Sequence, residues 1–345
     1  MDVDKEDLER GSATIFDVAR EAGVSYATVS RVLNNRDHVR PETRESVMNA
    51  VARLGFVANP QARSLAGGPS QVIGLLLHGL STSYMGEIVR GIDAELEAAD
   101  YDLMLYTTHR RKLKESAYVG AITRGMAAGL LLILPRNAAA YLDSLRARHF
   151  PYMLIDHQGN GDYEHSVGAT NWQGGYDATR YLIDLGHRRI GLVTGTLEMG
   201  CAVDRLEGYR QALADHGLPA DPALIYTGDF LQPSGFAAGR ALLALPDRPT
   251  AIVSSNDEMA FGVMEAARDR GLTIPEDLSI IGFDDIPQAG LVYPPLTTIR
   301  QPLEQMGRVA TRMLLTMIAD PHLEIKRVAL PTELVVRQSC RSLGG

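Results

Sequence analysis

Cysteine is almost absent from this chain: Cys201 and Cys340 are the only two in 345 residues. Two cannot build the disulfide framework of a secreted domain, so a reducing, cytoplasmic setting is expected. Long apolar runs are missing as well. The longest, such as Val72–Leu77 and Leu130–Leu134, fall far short of the roughly 20 residues of a membrane-spanning helix and have the length of buried strands. The opening Met-Asp-Val-Asp-Lys-Glu-Asp is acidic where an export signal is basic and then apolar, so none is expected. There is no Walker-type glycine loop, no G-x-S-x-G elbow and no run of residues at metal-ligand spacing. Hence no catalytic residue, no cofactor and no metal is expected.

What is present is a soluble globular composition, 45% hydrophobic and 22% charged, in a chain long enough for two or three domains. The net charge of -8, read as an average, argues against a nucleic-acid partner, which needs a cationic face. Its distribution reverses that argument. Residues 1–13 carry a net -3 and little apolar content, the mark of a disordered acidic tail; residues 14–66 hold seven arginines, no lysine and five acids, net +2; the remainder carries -7. A small cationic module is joined to a large anionic body.

The module reads as helices only. Thr14 precedes Asp17 as a capping box does, and Ile15, Val18, Ala19 and Ala22 follow at helical spacing. Gly23 permits a turn, Ser25 can cap a second helix from Tyr26 to Asn34, and Pro41 opens a third that stops at Gly55. Val24, Val29 and Leu33 are expected between the helices, with Val47, Val51 and Leu54 facing in from the third. Two helices joined by a tight glycine turn make a helix-turn-helix, whose second helix lies in the major groove of DNA.

From Gln71 onward short apolar runs alternate with amphipathic segments. Strands are expected to begin near Val72, Leu103, Leu130, Tyr152, Arg189, Ala251 and Leu278, with helices near 85–99, 172–186, 202–216, 257–270 and 302–319. Alternation of this kind implies parallel, doubly wound sheets, and its length implies two α/β lobes with a binding cleft at the carboxyl ends of the strands.

The strings T-I-F-D-V-A-R-E-A-G-V-S-Y-A-T-V-S-R-V-L-N, P-E-T-R-E-S-V, L-G-F-V-A-N-P-Q-A-R-S-L-A and, much later, P-P-L-T-T-I-R-Q-P resemble those of the lactose-repressor family of bacterial transcription regulators. The resemblance implies an all-α helix-turn-helix headpiece with a hinge helix, followed by a core of two doubly wound lobes like periplasmic sugar-binding proteins. It implies a tail over 1–13, a DNA-binding unit over 14–58, a hinge over 59–68 and a core over 69–345. The first lobe would take about 70–167 and 298–325, the second about 168–297 and 326–342. Tyr26, Ala27 and Arg31 hold the base-reading positions, and an arginine offers the bidentate fit to guanine O6 and N7. Thr14, Ser25, Thr28, Ser30, Asn34 and His38 match phosphate-contacting groups, although helix capping explains Thr14 and Ser25 equally well. Asn59 opens the hinge, and Leu65 holds its minor-groove wedge position. Arg40 replaces the small hydroxyl residue often found before Pro41, so that cap is expected to be lost.

For the body the resemblance implies an effector site. Arg205 matches an arginine that clamps effector oxygens; Asn256, Asp284 and Asp156 match groups that bind hydroxyls, and Phe230 an aromatic that stacks on a sugar. Tyr84 and Met85 match first-lobe positions lining the ligand, with core packing as the competing role for these two and for Phe230. His78 and Trp172 are open between cleft and core. Arg205 is expected to keep the neighbouring carboxylates ionised. The implied function is a homodimeric repressor of carbohydrate-utilisation genes, cytoplasmic and nucleoid-associated when bound to a pseudo-palindromic operator, its DNA affinity set by a sugar-like effector. The rival readings are a soluble sugar receptor and a carbohydrate-active enzyme.

Overall fold

The structure, a computed structural model, describes residues 13–33, 39–56, 70–108, 112–135, 138–157, 165–323 and 327–343. The chain forms two compact units, residues 1–70 and 71–345.

In the first unit α1 (Ile15–Ala22), α2 (Tyr26–Leu33) and α3 (Pro41–Leu54) form where the sequence places them. Thr14 and Asp17 make a reciprocal capping box, and Ser25 Oγ accepts from the Thr28 amide at 3.2 Å. Gly23 ends α1 at φ 65°, a left-handed turn that glycine adopts at least cost. Arg40 gives α3 no side-chain cap. The core is Val18, Ala19, Val29, Val32, Val47 and Ala50. Val32 and Ala50 thus take the fully buried places expected of Leu33 and Val51: they lie three residues after Val29 and Val47, on the same helix face.

The second unit holds two six-stranded sheets. The first, in the order β11-β5-β4-β3-β1-β2, contains β1 (Val72–Leu77), β2 (Asp102–Thr107), β3 (Gly129–Ile133), β4 (Tyr152–Ile155), β5 (Ser166–Ala169) and β11 (Val328–Leu330). The second, in the order β12-β10-β9-β8-β6-β7, contains β6 (Ile190–Thr194), β7 (Ile225–Thr227), β8 (Ala251–Ser254), β9 (Ser279–Asp284), β10 (Thr297–Arg300) and β12 (Glu333–Val335). All pairings are parallel except β10 with β12. Strands β3, β4, β6 and β8 are buried along their whole length because helices cover both faces, so they read as unbroken apolar runs.

Around the first sheet lie α4 (Ser83–Ala98), α5 (Lys112–Ile122), α6 (Ala139–Ala147) and, from late in the chain, α11 (Leu303–Ala319). Around the second lie α7 (Asn171–Asp184), α8 (Gly200–Asp215), α9 (Gln232–Leu242) and α10 (Asp257–Asp269). The chain crosses between lobes after Ala169, after Arg300 and after Leu330. The expected boundaries at 167, 298 and 326 are each displaced by a few residues. Strand β10 belongs to the second sheet, where Thr298 pairs with Gly282 and Val335, and β11 belongs to the first, against β5. Strand β10 is four residues long and mostly polar, and β11 is only three residues long, so neither signals a period.

Candidate functional site

On α2 the base-reading candidates Tyr26, Ala27 and Arg31 are exposed, while Thr28 and Ser30 are half-buried. Tyr26 is 49% exposed and its ring lies 5.7 Å from that of Phe16, itself exposed, on α1. Large aromatics left in water on a helix face are unusual in a folded unit and suit a surface that meets a partner. Thr14 and Ser25 are both engaged in capping. Asn34, His38, Asn59 and Leu65 lie outside the described residues.

The effector candidates converge. Tyr84, Met85, Asp156, Arg205, Phe230, Asn256 and Asp284 all line one cavity between the lobes of the second unit, with about 740 Å³ of empty space partly open to solvent. His78, Leu134, Met199, Cys201, Asp229 and Leu231 complete much of its wall. The position follows from topology: Asp156 comes directly after β4 and Asp284 ends β9, at the carboxyl edges where parallel sheets bind ligands. Helices α7 and α8, which carry Asn171 and Arg205, approach closely because a Cβ on Gly175 would lie 2.4 Å from the Arg205 carbonyl oxygen.

One chain of polar contacts runs across the cavity floor. Tyr84 Oη donates to Asp156 Oδ2 at 2.6 Å. Asn171 Nδ2 faces Asp156 Oδ1 at 3.5 Å, and its Oδ1 accepts from Arg205 Nε at 2.9 Å. Arg205 also donates through Nη1 to the Ser255 carbonyl, stands 3.8 Å from Asp284 and lies 3.7 Å above the Phe283 ring. Asp284 Oδ1 accepts from Gln301 at 2.7 Å. Asn256 Oδ1 caps α10 by accepting from the Met259 amide, and its Nδ2 donates to the Phe230 carbonyl at 3.0 Å. The Phe230 ring rests on Gly195, where a Cβ would come within 1.9 Å. Asp156, Phe230 and Asp284 all have positive φ, at 54°, 67° and 116°. With Leu134 at 47°, four non-glycine residues of the cavity wall occupy this sparsely populated region, backbone strain of the kind that gathers at ligand sites.

Arg205 pulls both carboxyls down, as expected of it, but burial outweighs it. Burial pushes Asp156 upward, with Arg205 pulling back, and burial raises Asp284 to about 7 against the same opposing pull. Taking a carboxylate out of water costs more here than one partly shared guanidinium returns. Cys201, in the cavity wall, is raised to about 12 by burial, which makes it an inert wall rather than a nucleophile. His78 faces the cavity and is also tied into the first lobe, through Thr108 at 3.1 Å and the Leu134 carbonyl at 2.5 Å. Trp172 does neither job expected of it: it is 41% exposed and stacks on Tyr176.

Three groups escaped the sequence reading. Asn171 and Gln301 sit at the first two crossings between lobes, and Asp257 is fully buried beneath Asp284. Gln301 lies within the quoted P-P-L-T-T-I-R-Q-P string, so position in a motif was available as a signal. Asn171 and Asp257 had none beyond proximity to Trp172 and Asn256.

Comparison with known proteins decides the family. Residues 14–59 match bacterial regulatory proteins of the lacI family, and residues 179–340 match a periplasmic binding protein-like domain. Catabolite control protein A of Priestia megaterium is 35% identical over 331 residues, covering 96% of this chain and 100% of that one. The HTH-type transcriptional repressor PurR of Erwinia tasmaniensis is 36% identical, covering 95% and 96%. The chain belongs to the lacI family. Among solved structures the lac repressor dimer bound to operator and the anti-inducer ONPF superimposes with a TM-score of 0.85 at 29% identity, covering 96% of this chain and 100% of that one. The transcriptional regulator CelR in complex with cellobiose does so with 0.72 at 32% identity, covering 95% and 99%. This lacI-family chain is a DNA-binding transcriptional regulator with an effector-binding core. None of the described helices is long and apolar enough to cross a membrane.

Proposed function

We propose that this regulator represses carbohydrate-utilisation genes in the cytoplasm and that an uncharged sugar-like effector in the interlobe cavity sets its operator affinity. The observation that carries this reading is the Asp156–Asn171–Arg205–Asp284 chain on the cavity floor, flanked by the Phe230 ring. Carboxylates accept from hydroxyls, the amide and guanidinium fix their orientation, and a flat ring suits a sugar face. CelR binds cellobiose, and the lac repressor binds the ligand ONPF alongside its operator; the same class of ligand suits this cavity. Two headpieces of a homodimer would read the two halves of a pseudo-palindrome, with Tyr26 and Arg31 at the bases. Effector binding would change the angle between the lobes and so the state of the hinge that includes Leu65. Asp156 and Asp284 already hold protein partners, which favours binding over turnover of the ligand.

The test has two stages. A thermal-shift screen of neutral mono- and disaccharides on the full chain should yield one that stabilises it, by about 2.7 kcal/mol at 100 times its Kd. That sugar should then change affinity for an operator selected from random duplexes. Chemical conversion of the bound sugar would replace this reading with an enzyme, and stabilisation without any effect on DNA would replace it with a receptor.

A further inference from the structure

The segment that ends β9 performs several tasks within five residues. Asp284 and Asp285 turn the chain at positive φ, 116° and 57°. Asp284 faces the cavity. Asp285 binds back into the second lobe, accepting from Arg300 Nε at 2.8 Å and from Arg337 Nη2 at 2.6 Å. Ile286 then leaves that lobe. It is 1% exposed and belongs to an apolar core whose other buried members all come from the first lobe, among them Tyr84, Met85 and Ile88, with the partly buried Phe261 of α10 packed against it. Gln288 follows it across, donating to Ser83 Oγ at 2.7 Å at the start of α4.

Asp257 anchors the segment from below. Its Oδ2 accepts from the Ile286 amide at 2.9 Å and its Oδ1 from Thr298 Oγ1 at 2.6 Å on β10. Gly282 leaves it room, since a Cβ there would lie 2.2 Å from Asp257 Oδ1. A carboxyl fully out of water with both oxygens hydrogen-bonded holds its partners in one arrangement. The backbone of Ile286 is therefore fixed to the second lobe while its side chain is packed in the first.

We propose that Asp284–Gln288 is an interlobe latch, in which Ile286 is the positioning residue that sets Asp284 against the Tyr84–Met85 wall of the cavity. The proposal rests on the effector reading of that cavity. A ligand that takes hold of Asp284 acts on a segment seated two residues later in the opposite lobe. Close-packed cores do not deform gradually, so Ile286 is either seated or withdrawn, and the latch gives the lobes two discrete arrangements. Ligand contact at one residue is thereby converted into a lobe movement.

The test measures the distance between lobes in the full, ligand-free chain. Glu97 on α4 and Gln211 on α8 are exposed, one in each lobe, and take Glu97→Cys and Gln211→Cys for nitroxide labelling. The native Cys201 is buried, its thiol pushed up to about 12, and resists labelling; Cys340, only partly buried, is replaced by Cys340→Ser throughout. With labelled subunits diluted in an excess of unlabelled ones, so that distances between subunits drop out, double electron–electron resonance should give one main distance for the otherwise unchanged protein. Ile286→Ala should add a longer one, moving the closed-to-open ratio by about tenfold or more, as loss of a buried aliphatic contact does. Ile286→Val should restore the original distribution, which a general loss of stability would not explain. Gln288→Ala alters an exposed residue and should shift the ratio less, in the same direction. It decides the matter should Ile286→Ala not fold. Superimposable distributions for the folded variants overturn the latch and leave the effector reading intact. Failure of every sugar to stabilise the protein overturns the effector reading instead, because no ligand enters the distance measurement.

Discussion

The two units hold their candidate functional residues in opposite ways. In the helical unit Tyr26, Ala27 and Arg31 stand in water on a short helix whose stability comes from six small apolar side chains beneath it. In the α/β unit Asp156, Arg205 and Asp284 are nearly sealed from water and hydrogen-bonded to protein groups. A DNA duplex is a large, charged, preformed surface, so its reader can be exposed and gain order on contact. A small effector offers few atoms, so its site must be arranged beforehand. Exposure on one side suits the proposed reading of a polymer, and burial on the other the proposed binding of a small effector.

That contrast breaks first at Arg205. Arg205→Ala leaves Asp156 and Asp284 buried without their cation and should cost about 2–5 kcal/mol of effector affinity. Operator affinity without effector should persist, as filter binding on the selected duplex would record. Loss of both together would mean that the buried site is only structural.

Asp284→Asn sharpens the same point through pH. Burial holds the folded carboxyl at about 7, against about 4 in an unfolded chain. The folded state therefore keeps a proton that the unfolded state has already released. This group's stabilisation is full below pH 4, declines as pH rises and is gone above about 7. The substitution should raise the ligand-free Tm at pH 8, on a scale of about 2–4 °C per kcal/mol for a unit of this size, and should flatten the decline. Equal shifts at pH 4 and pH 8 would remove ionisation as the cause.

On the exposed side, Arg31→Ala should remove about 1–3 kcal/mol of discrimination between operator and random duplex while leaving effector affinity unchanged. Fluorescence anisotropy on both duplexes at one fixed salt concentration checks this. An equal loss on random DNA would make Arg31 a phosphate contact. The smallest effect is expected at Thr14. Thr14→Ala deletes the capping box and should cost about 1 kcal/mol, seen as faster amide exchange confined to α1. Unchanged exchange with weaker operator binding would make Thr14 a DNA contact instead of a cap.

Much of this was legible in the residues themselves. Caps at Thr14 and Ser25, the stop at Gly23 and the proline at position 41 announce themselves because capping is chemistry between near neighbours. Strands such as β3 and β4 show as apolar runs, and Asp156, Arg205, Asn256 and Asp284 are all found at the cavity. Strands β5, β7, β10, β11 and β12 were invisible: three are only three residues long, and β5 and β10 carry polar residues or glycine where β4 and β8, equally short, are mostly apolar. Helices α5, α6 and α9 were missed as well, although α6 buries Tyr141, Leu142 and Leu145 and α9 buries Gly235, Ala238, Gly239 and Leu242 at helical spacing; the inward face of α9 is made mostly of glycine and alanine, which carry little apolar signal.

The sequence by itself determined that a +2 module precedes a -7 body, that the module is helical and that the body alternates strand with helix. Local spacing and charge are properties of neighbours, so they survive without a fold. Only the tertiary structure decided which lobe owns β10 and β11, that burial and not Arg205 governs Asp284, and that Ile286 is seated in the lobe it does not belong to. Each of those depends on groups tens to hundreds of residues apart being brought together and drained of water, which no window of sequence records.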